Sequence, residues 1–198
     1  MAGAIDALAQ ALSRLPGFGR RSASRAAMAL AREPARLSDP LRAALDVVRE
    51  RVCRCSRCGG LTEKDADPCR LCTDPLRDGS MLCVVEDPSD IAAIEASGAF
   101  KGRYHALGGK LSSSRGRTAA EASVREVASR VAREGFSEVL LALSTDMDGD
   151  ATAGFAAEML KPTGVRITRL AFGLPADSAV AYSDPLTLRR AVSYRISQ

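Results

Sequence analysis

The sequence predicts an α/β protein. Its main body is a mostly parallel sheet flanked by helices, preceded by a small helical domain and a cysteine module, and followed by a short helical tail. Three observations carry this. From Leu82 onward, short apolar runs alternate with amphipathic stretches in the β-α-β-α-β-α-β rhythm of a parallel sheet covered by helices. Residues 1–52 show only helical periodicity. Between these parts, five cysteines (53, 55, 58, 69 and 72) fall within 20 residues.

The elements follow in order. Ala4, Ile5, Leu8, Ala11 and Leu12 recur at helical spacing over residues 3–13. Leu15-Pro16-Gly17-Phe18-Gly19 breaks that helix, and Arg20 to Arg32, rich in alanine, forms the next until Pro34 ends it. Asp39-Pro40 opens a third helix towards Val52, with Asp39 or Ser38 as N-cap and Leu41, Leu45 and Val48 along it. These 52 residues are too few to bury much surface by themselves. After the cysteines, Leu82–Val85 reads as a buried strand, 88–97 as a helix and Arg103–Leu107 as a second strand. Residues 108–116 form a Gly/Ser loop. Residues 118–134 form a helix with Ala120, Val124, Val127 and Val131 on one face. Val139–Leu143 is the third strand, 150–160 a helix, and Val165–Ala171 the last strand. Leu186, Leu188, Val192 and Ile196 mark the helical tail. The expected domains are 1–52, 53–77, 78–176 and 177–198.

Composition narrows the function. A chain of 198 residues buries roughly 70% of its unfolded surface. With 46% hydrophobic residues, 26% charged residues and a mean hydropathy of −0.06, it is not a disordered chain. No apolar run is long enough to span a bilayer, and the N-terminus lacks the pattern of a signal peptide, so a cytoplasmic protein without membrane partners is expected. Aromatics are 4% with no Trp, which argues against base-stacking surfaces. The net charge of +4 is uneven: residues 1–58 carry 11 Arg against five acids, whereas the rest is mildly acidic. A basic end suits a polyanion partner, and on charge alone a solvated Arg-rich helical surface fits as well.

Three motifs carry chemistry. In Leu15-Pro16-Gly17-Phe18-Gly19-Arg20-Arg21-Ser22-Ala23, two glycines allow a tight turn that presents backbone amides at a helix start, where the dipole favours an anion. Gly17, Gly19, Arg20, Arg21 and Arg25 are the candidate DNA-binding residues, meeting phosphates without reading bases. A plain helix–helix turn uses the same glycines, but the flanking Leu-Pro and Arg-Arg-Ser-Ala favour DNA. In Cys55-x2-Cys58-x10-Cys69-x2-Cys72, two Cys-x2-Cys pairs in series close a tetrahedral S4 site that suits structural zinc, and a redox dithiol is the rival. Cys53 is badly spaced for that set, and it and Cys83 read as small apolar fillers. The third motif is acidic: Glu86 ends the first strand, and Asp146, Asp148 and Asp150 follow the third, where open parallel sheets bind ligands. Glu86, Asp148 and Asp150 suit either an acidic partner-docking face or Mg2+. The only histidine, His105, reads as structural. Lys110 follows a glycine pair without phosphate-loop spacing.

The Leu15–Ala23 stretch resembles the helix-hairpin-helix of DNA repair proteins, and the Glu86 and Asp148-Gly149-Asp150 pattern resembles a Toprim domain. In that alignment Ser144 stands where the first metal-binding Asp belongs, which disfavours Mg2+. The order of modules, with Thr73-Asp74-Pro75, Cys83-Val84-Val85-Glu86-Asp87-Pro88, Gly102-Arg103-Tyr104-His105 and Thr168-Arg169-Leu170-Ala171-Phe172-Gly173-Leu174-Pro175, resembles the RecR family across essentially the whole chain. Departures occur at Ser113–Arg117 and at Ala176-Asp177-Ser178. The resemblance implies a non-catalytic mediator of DNA recombination and repair. It would be a homo-oligomer, a dimer or tetrameric ring, that acts with RecO and RecF to load RecA on single-stranded DNA. The alternative is a Mg2+-dependent Toprim nuclease or primase-like enzyme.

Overall fold

The computed structural model describes residues 3–111, 118–171, 174 and 179–194. The expectations for Ser112–Arg117, for Phe172-Gly173, for Pro175 to Ser178 and for Ile196 lie outside the described residues. The chain folds as two compact units. One is drawn from the chain up to Cys53 with Glu63–Asp65, the other from Arg54–Thr62 with the chain from Ala66.

In the first unit, α1 (Ala4–Leu12) packs on α2 (Arg20–Arg32), and only Ala23 and Ala27 of α2 are fully buried. Small residues at the contact let the two backbones approach closely. Glu33 leaves helical geometry before Pro34, but Pro34–Ser38 coils again as a π-helical turn that runs into α3 (Asp39–Arg51). Ser38 is therefore already helical and does not cap α3. Its hydroxyl donates to the Leu30 carbonyl at 2.6 Å instead. No residue of α3 is buried.

The cysteine segment contains elements too short for periodicity to reveal. These are β1 (Val52–Arg54) and β2 (Leu61–Glu63), paired as a two-stranded ribbon, and one helical turn, α4 (Arg70–Thr73).

In the second unit, β3 (Met81–Val85), β4 (Arg103–Ala106), β5 (Glu138–Ala142) and β6 (Arg166–Arg169) form one sheet in the order β4-β3-β5-β6, all parallel. Strand alternation sends Leu82 and Val84 to one face and Cys83 and Val85 to the other. The first face packs with Val139 and Leu141 against α6 (Thr118–Glu134) and α7 (Met147–Leu160), through Val124, Val127, Val131, Ala153, Ala156 and Leu160. The second is covered by Ile91 of α5 (Pro88–Ser97), by Phe100 and, from the cysteine segment, by Leu71. Edge strand β4 is closed by side contacts. Its Ala106 amide donates to Cys58 O at 2.7 Å, and its Tyr104 carbonyl accepts from buried Arg130 at 2.6 Å. The tail holds α8 (Pro185–Ser193), whose N-cap Asp184 accepts from Leu186 and Thr187 amides.

One boundary bears on function. The helix expected at 150 begins at Met147, because Asp146 is extended and its Oδ1 accepts from Gly149 N at 2.7 Å. Gly149 is obligatory there, since a Cβ would overlap the Ser144 carbonyl. Asp148 and Asp150 thus belong to the first turn of α7 rather than to a loop.

Candidate functional site

The four cysteines of the two Cys-x2-Cys pairs converge. Cys55, Cys58, Cys69 and Cys72 are all buried, none is in a disulfide, and their Sγ atoms lie within 4.8 Å of one another. Cys55–Cys72 Sγ atoms are 3.9 Å apart and Cys58–Cys69 Sγ atoms 3.7 Å. A tetrahedral zinc with Zn–S bonds near 2.3 Å requires sulfurs about 3.8 Å apart, so the residues fit that ion. Backbone amides support the sulfurs: Cys69 N donates to Cys55 Sγ at 3.3 Å and Gly60 N to Cys58 Sγ at 3.4 Å. The hydrogen bond from Cys72, with help from Gly60 N, pulls the Cys58 thiol down. Burial and the neighbouring Cys58 push the Cys69 and Cys72 thiols up, so without a cation the set favours a single thiolate. Cys53 is half-buried in β1 and outside the set. Cys83 is fully buried in β3, and burial pushes its thiol up to about 12, as expected of a core filler.

The cysteine knuckle is bolted to the sheet. Gly59 turns with φ +71° so closely against β4 that a Cβ would sit 2.7 Å from the Ala106 carbonyl. Arg57, inside the first Cys-x2-Cys, donates to Cys72 O at 3.1 Å and to Glu134 Oε2 of α6 at 2.9 Å. Glu134 also receives Arg130 Nε at 2.9 Å, so one carboxylate joins the knuckle to a buried guanidinium. Arg103 Nη1 donates to Leu71 O at 2.8 Å. Sequence reasoning missed Arg57 and Glu134, because nothing in the chain pairs residues so far apart.

In the first unit, only Gly17 of the two turn glycines needs its residue type, with φ +80°. Gly19 is extended (φ −81°) and is the N-cap of α2, with room for a Cβ. No side chain caps α2, and Ser22 Oγ donates to the Gly19 carbonyl rather than accepting from an amide. The first α2 amide bonded within the helix is that of Ala23. The amides of Arg20, Arg21 and Ser22 are therefore open to an anion. Arg20, Arg21 and Arg25 are exposed and make no ion pair among the described residues.

The acidic residues lie at the crevice where the chain direction reverses. β3 leads to β4 on one side and β5 to β6 on the other, so ligands are expected at the carboxyl ends of β3 and β5. Glu86 and the Ser144–Asp150 stretch stand there, with Glu86 Oε1 accepting from Ser144 N at 2.5 Å. The crevice also holds a cation that spacing alone did not assign to it. Lys110 Nζ donates to Asp146 Oδ2 at 2.5 Å and to Ser144 Oγ at 3.2 Å, and lies 3.6 Å from Glu86 Oε2. It holds the Asp146 carboxyl down to about 2. Asp150 pairs with Arg169 at 2.9 Å and Arg190 at 3.1 Å. Asp148 is half-buried and makes no ion pair among the described residues. His105, expected to be structural, is 3% exposed, with Nε2 3.5 Å from Ser123 Oγ and no partner for Nδ1 among the described residues. Burial and the Arg130 charge push it down to about 4.

Comparison with known proteins agrees with this layout. The family model for the RecR helix-hairpin-helix matches residues 5–48, and that for the Toprim domain matches residues 80–171. The chain is 44% identical over 191 residues to Recombination protein RecR of Sphingopyxis alaskensis, an alignment covering 96% of each chain. It is 42% identical over 193 residues to the Thermobifida fusca protein of the same name, covering 98% of this chain and 96% of that one. It is 39% identical over 194 residues to the Chlorobium luteolum protein, covering 96% and 95%. No helix among the described residues is long and apolar enough to cross a membrane. A four-cysteine cluster able to hold a metal ion, a parallel Toprim sheet and near-full-length identity of this order place the chain in the RecR family of recombination proteins.

Proposed function

We propose that this protein is a non-catalytic, sequence-independent DNA-binding mediator of recombination in the cytoplasm. It grips backbone phosphates at the turn into α2 and acts with RecO and RecF in loading RecA on single-stranded DNA. The observation that carries this reading is the uncapped N-terminus of α2, with three open amides beside Arg20, Arg21 and Arg25, all exposed and without ion-pair partners among the described residues. Gly17 shapes the turn, and Gly19 keeps its end free of side chain. Cys55, Cys58, Cys69 and Cys72 hold a structural zinc with no open ligand position. Glu86, Asp148 and Asp150 form part of an acidic face towards a protein partner. A homo-oligomer is supported by α3, which exposes Leu41 at 43%, Leu45 at 60% and Val48 at 55% along one stripe at helical spacing.

The test is a gel-shift titration on single- and double-stranded DNA over a salt series, with and without a RecO partner. Wild type should bind with an affinity that falls linearly in log–log form, by about 0.9 per phosphate neutralised. Arg21→Glu should weaken binding at all sequences and reduce that slope by about one. Equal affinity of Arg21→Glu and wild type at low salt would sink the assignment. A Mg2+-dependent nuclease is disfavoured by Ser144 and by the engagement of Glu86.

A further inference from the structure

A Toprim crevice implies a divalent cation, so the fit of this one to Mg2+ can be tested residue by residue. Mg2+ demands near-octahedral oxygen ligands at about 2.0–2.1 Å. Glu86 offers Oε1 to the Ser144 amide and Oε2 to Lys110. Asp146 uses Oδ1 to cap α7 and Oδ2 to receive Lys110. Asp150 is committed to Arg169 and Arg190. Ser144, which the Toprim pattern would make a carboxylate, turns its hydroxyl to Lys110. Among the described residues, the only group of three or more metal-type ligands brought within 4.8 Å is the four cysteines. Asp148 makes no ion pair among the described residues, but it is not brought together with two other metal-type ligands, so the residues present do not fit Mg2+.

They do fit the ammonium already there. The backbone that carries it is pinned on both sides: Gly109 N donates to Glu86 O at 3.0 Å and Leu111 N to buried Thr152 Oγ1 at 2.9 Å. Thr152 Oγ1 in turn donates to Asp148 O at 2.6 Å. The loop after β4 is thus tied to the end of β3 and to the first turn of α7, and Lys110 points into the space between them. One positive charge joins the carboxyl ends of β3 and β5, as a bound metal would, without needing octahedral geometry.

We propose that Lys110 is the resident cation of this acidic cluster and that the Toprim crevice of this chain is thereby closed to divalent metal. The inference deepens the non-catalytic reading above and gives it a cause in one side chain. The acidic face then keeps its shape with or without Mg2+ in solution.

The test is manganese titration of the zinc-loaded full chain, followed by the paramagnetic resonance signal of free Mn2+. Wild type should leave that signal undiminished through the millimolar range. Lys110→Ala and Lys110→Met should both take up Mn2+, at least about tenfold more tightly than wild type, since two ion pairs of ordinary strength are worth about that factor. Adding Glu86→Gln should abolish the gain. Saturable uptake by wild type that Glu86→Gln removes would overturn the proposal. So would failure of both Lys110 variants to take up the ion. Failure of the mediator reading would show separately, as absence of a DNA shift by wild type, and would leave the manganese result unchanged.

Discussion

The helical unit and the sheet unit use charge in opposite ways. In the first, Arg36–Glu33 is the one ion pair among the described residues, and Arg20, Arg21 and Arg25 face solvent. In the second, several cations are turned inward on carboxylates, while Arg133, Lys161 and Arg166 pair at the surface. Arg77 grips both oxygens of Glu95 at 2.9 and 2.6 Å, Arg57 and Arg130 share Glu134, and Lys110 sits between Asp146 and Glu86. Apolar surface divides the same way. The first unit fully buries only two alanines among the described residues, whereas the sheet has two packed faces. A unit that leaves its charge and its apolar stripe unsatisfied is built to be completed by something else. The second unit packs a core of its own and pairs its buried charges, so it serves as the scaffold, while Leu76, Met147 and Tyr182 stay exposed on its surface.

Removing the proposed zinc should break the scaffold most severely. Structural zinc contributes on the order of 10 kcal/mol to folding in small domains, and here the knuckle also covers a sheet edge and, through Leu71, part of a sheet face. Cys69→Ser should lose zinc, measured by metal analysis, and should lower the thermal midpoint of the sheet unit. A zinc-free variant with an unchanged midpoint would separate the knuckle from the scaffold. Next in size is the core. Leu82→Ala, at a fully buried site, should cost about 2–5 kcal/mol in urea unfolding. Leu45→Ala, at a 60% exposed site, should change chain stability by less than about 0.5 kcal/mol yet shift the assembly state seen by light scattering. Comparable losses at the two sites would erase the contrast between the units.

Much of this was legible in the sequence, for physical reasons that also explain the rest. Leu82–Val85 and Val139–Leu143 announce strands because both sheet faces are buried, and α6 is marked by Val124, Val127 and Val131 on one face. The cysteine spacing encodes its own geometry, since two thiolates on each of two tight turns have few ways to meet. The three-residue strands β1 and β2 were not readable, being shorter than any period. The start of α7 was missed because its signal is one side-chain bond from Asp146, not a pattern. Lys110 was passed over for a different reason. Its meaning depends on Glu86 and Asp146, which the sheet brings together and the chain order keeps apart.

A last expected effect, conditional on pH, tests the inward-turned charges. His105 is buried beside the positive charge of Arg130, opposed by Glu134, and both push or hold it from the α6 side, with Ser123 at Nε2. Its folded value of about 4 lies below the ordinary 6.5, so folding favours the neutral ring. The unfolded chain therefore takes up the proton first as pH falls. Stability from this group is complete above pH 6.5, declines between 6.5 and 4, and is fully lost below 4. At pH 5 the loss should be about 2 kcal/mol, read as a fall in the urea midpoint. His105→Gln, which cannot take the proton, should flatten the profile over that window. A profile equally steep in the variant would mean that the Glu134 carboxylate of the Arg57–Glu134–Arg130 bridge, and not the histidine, sets the acid limit of the scaffold.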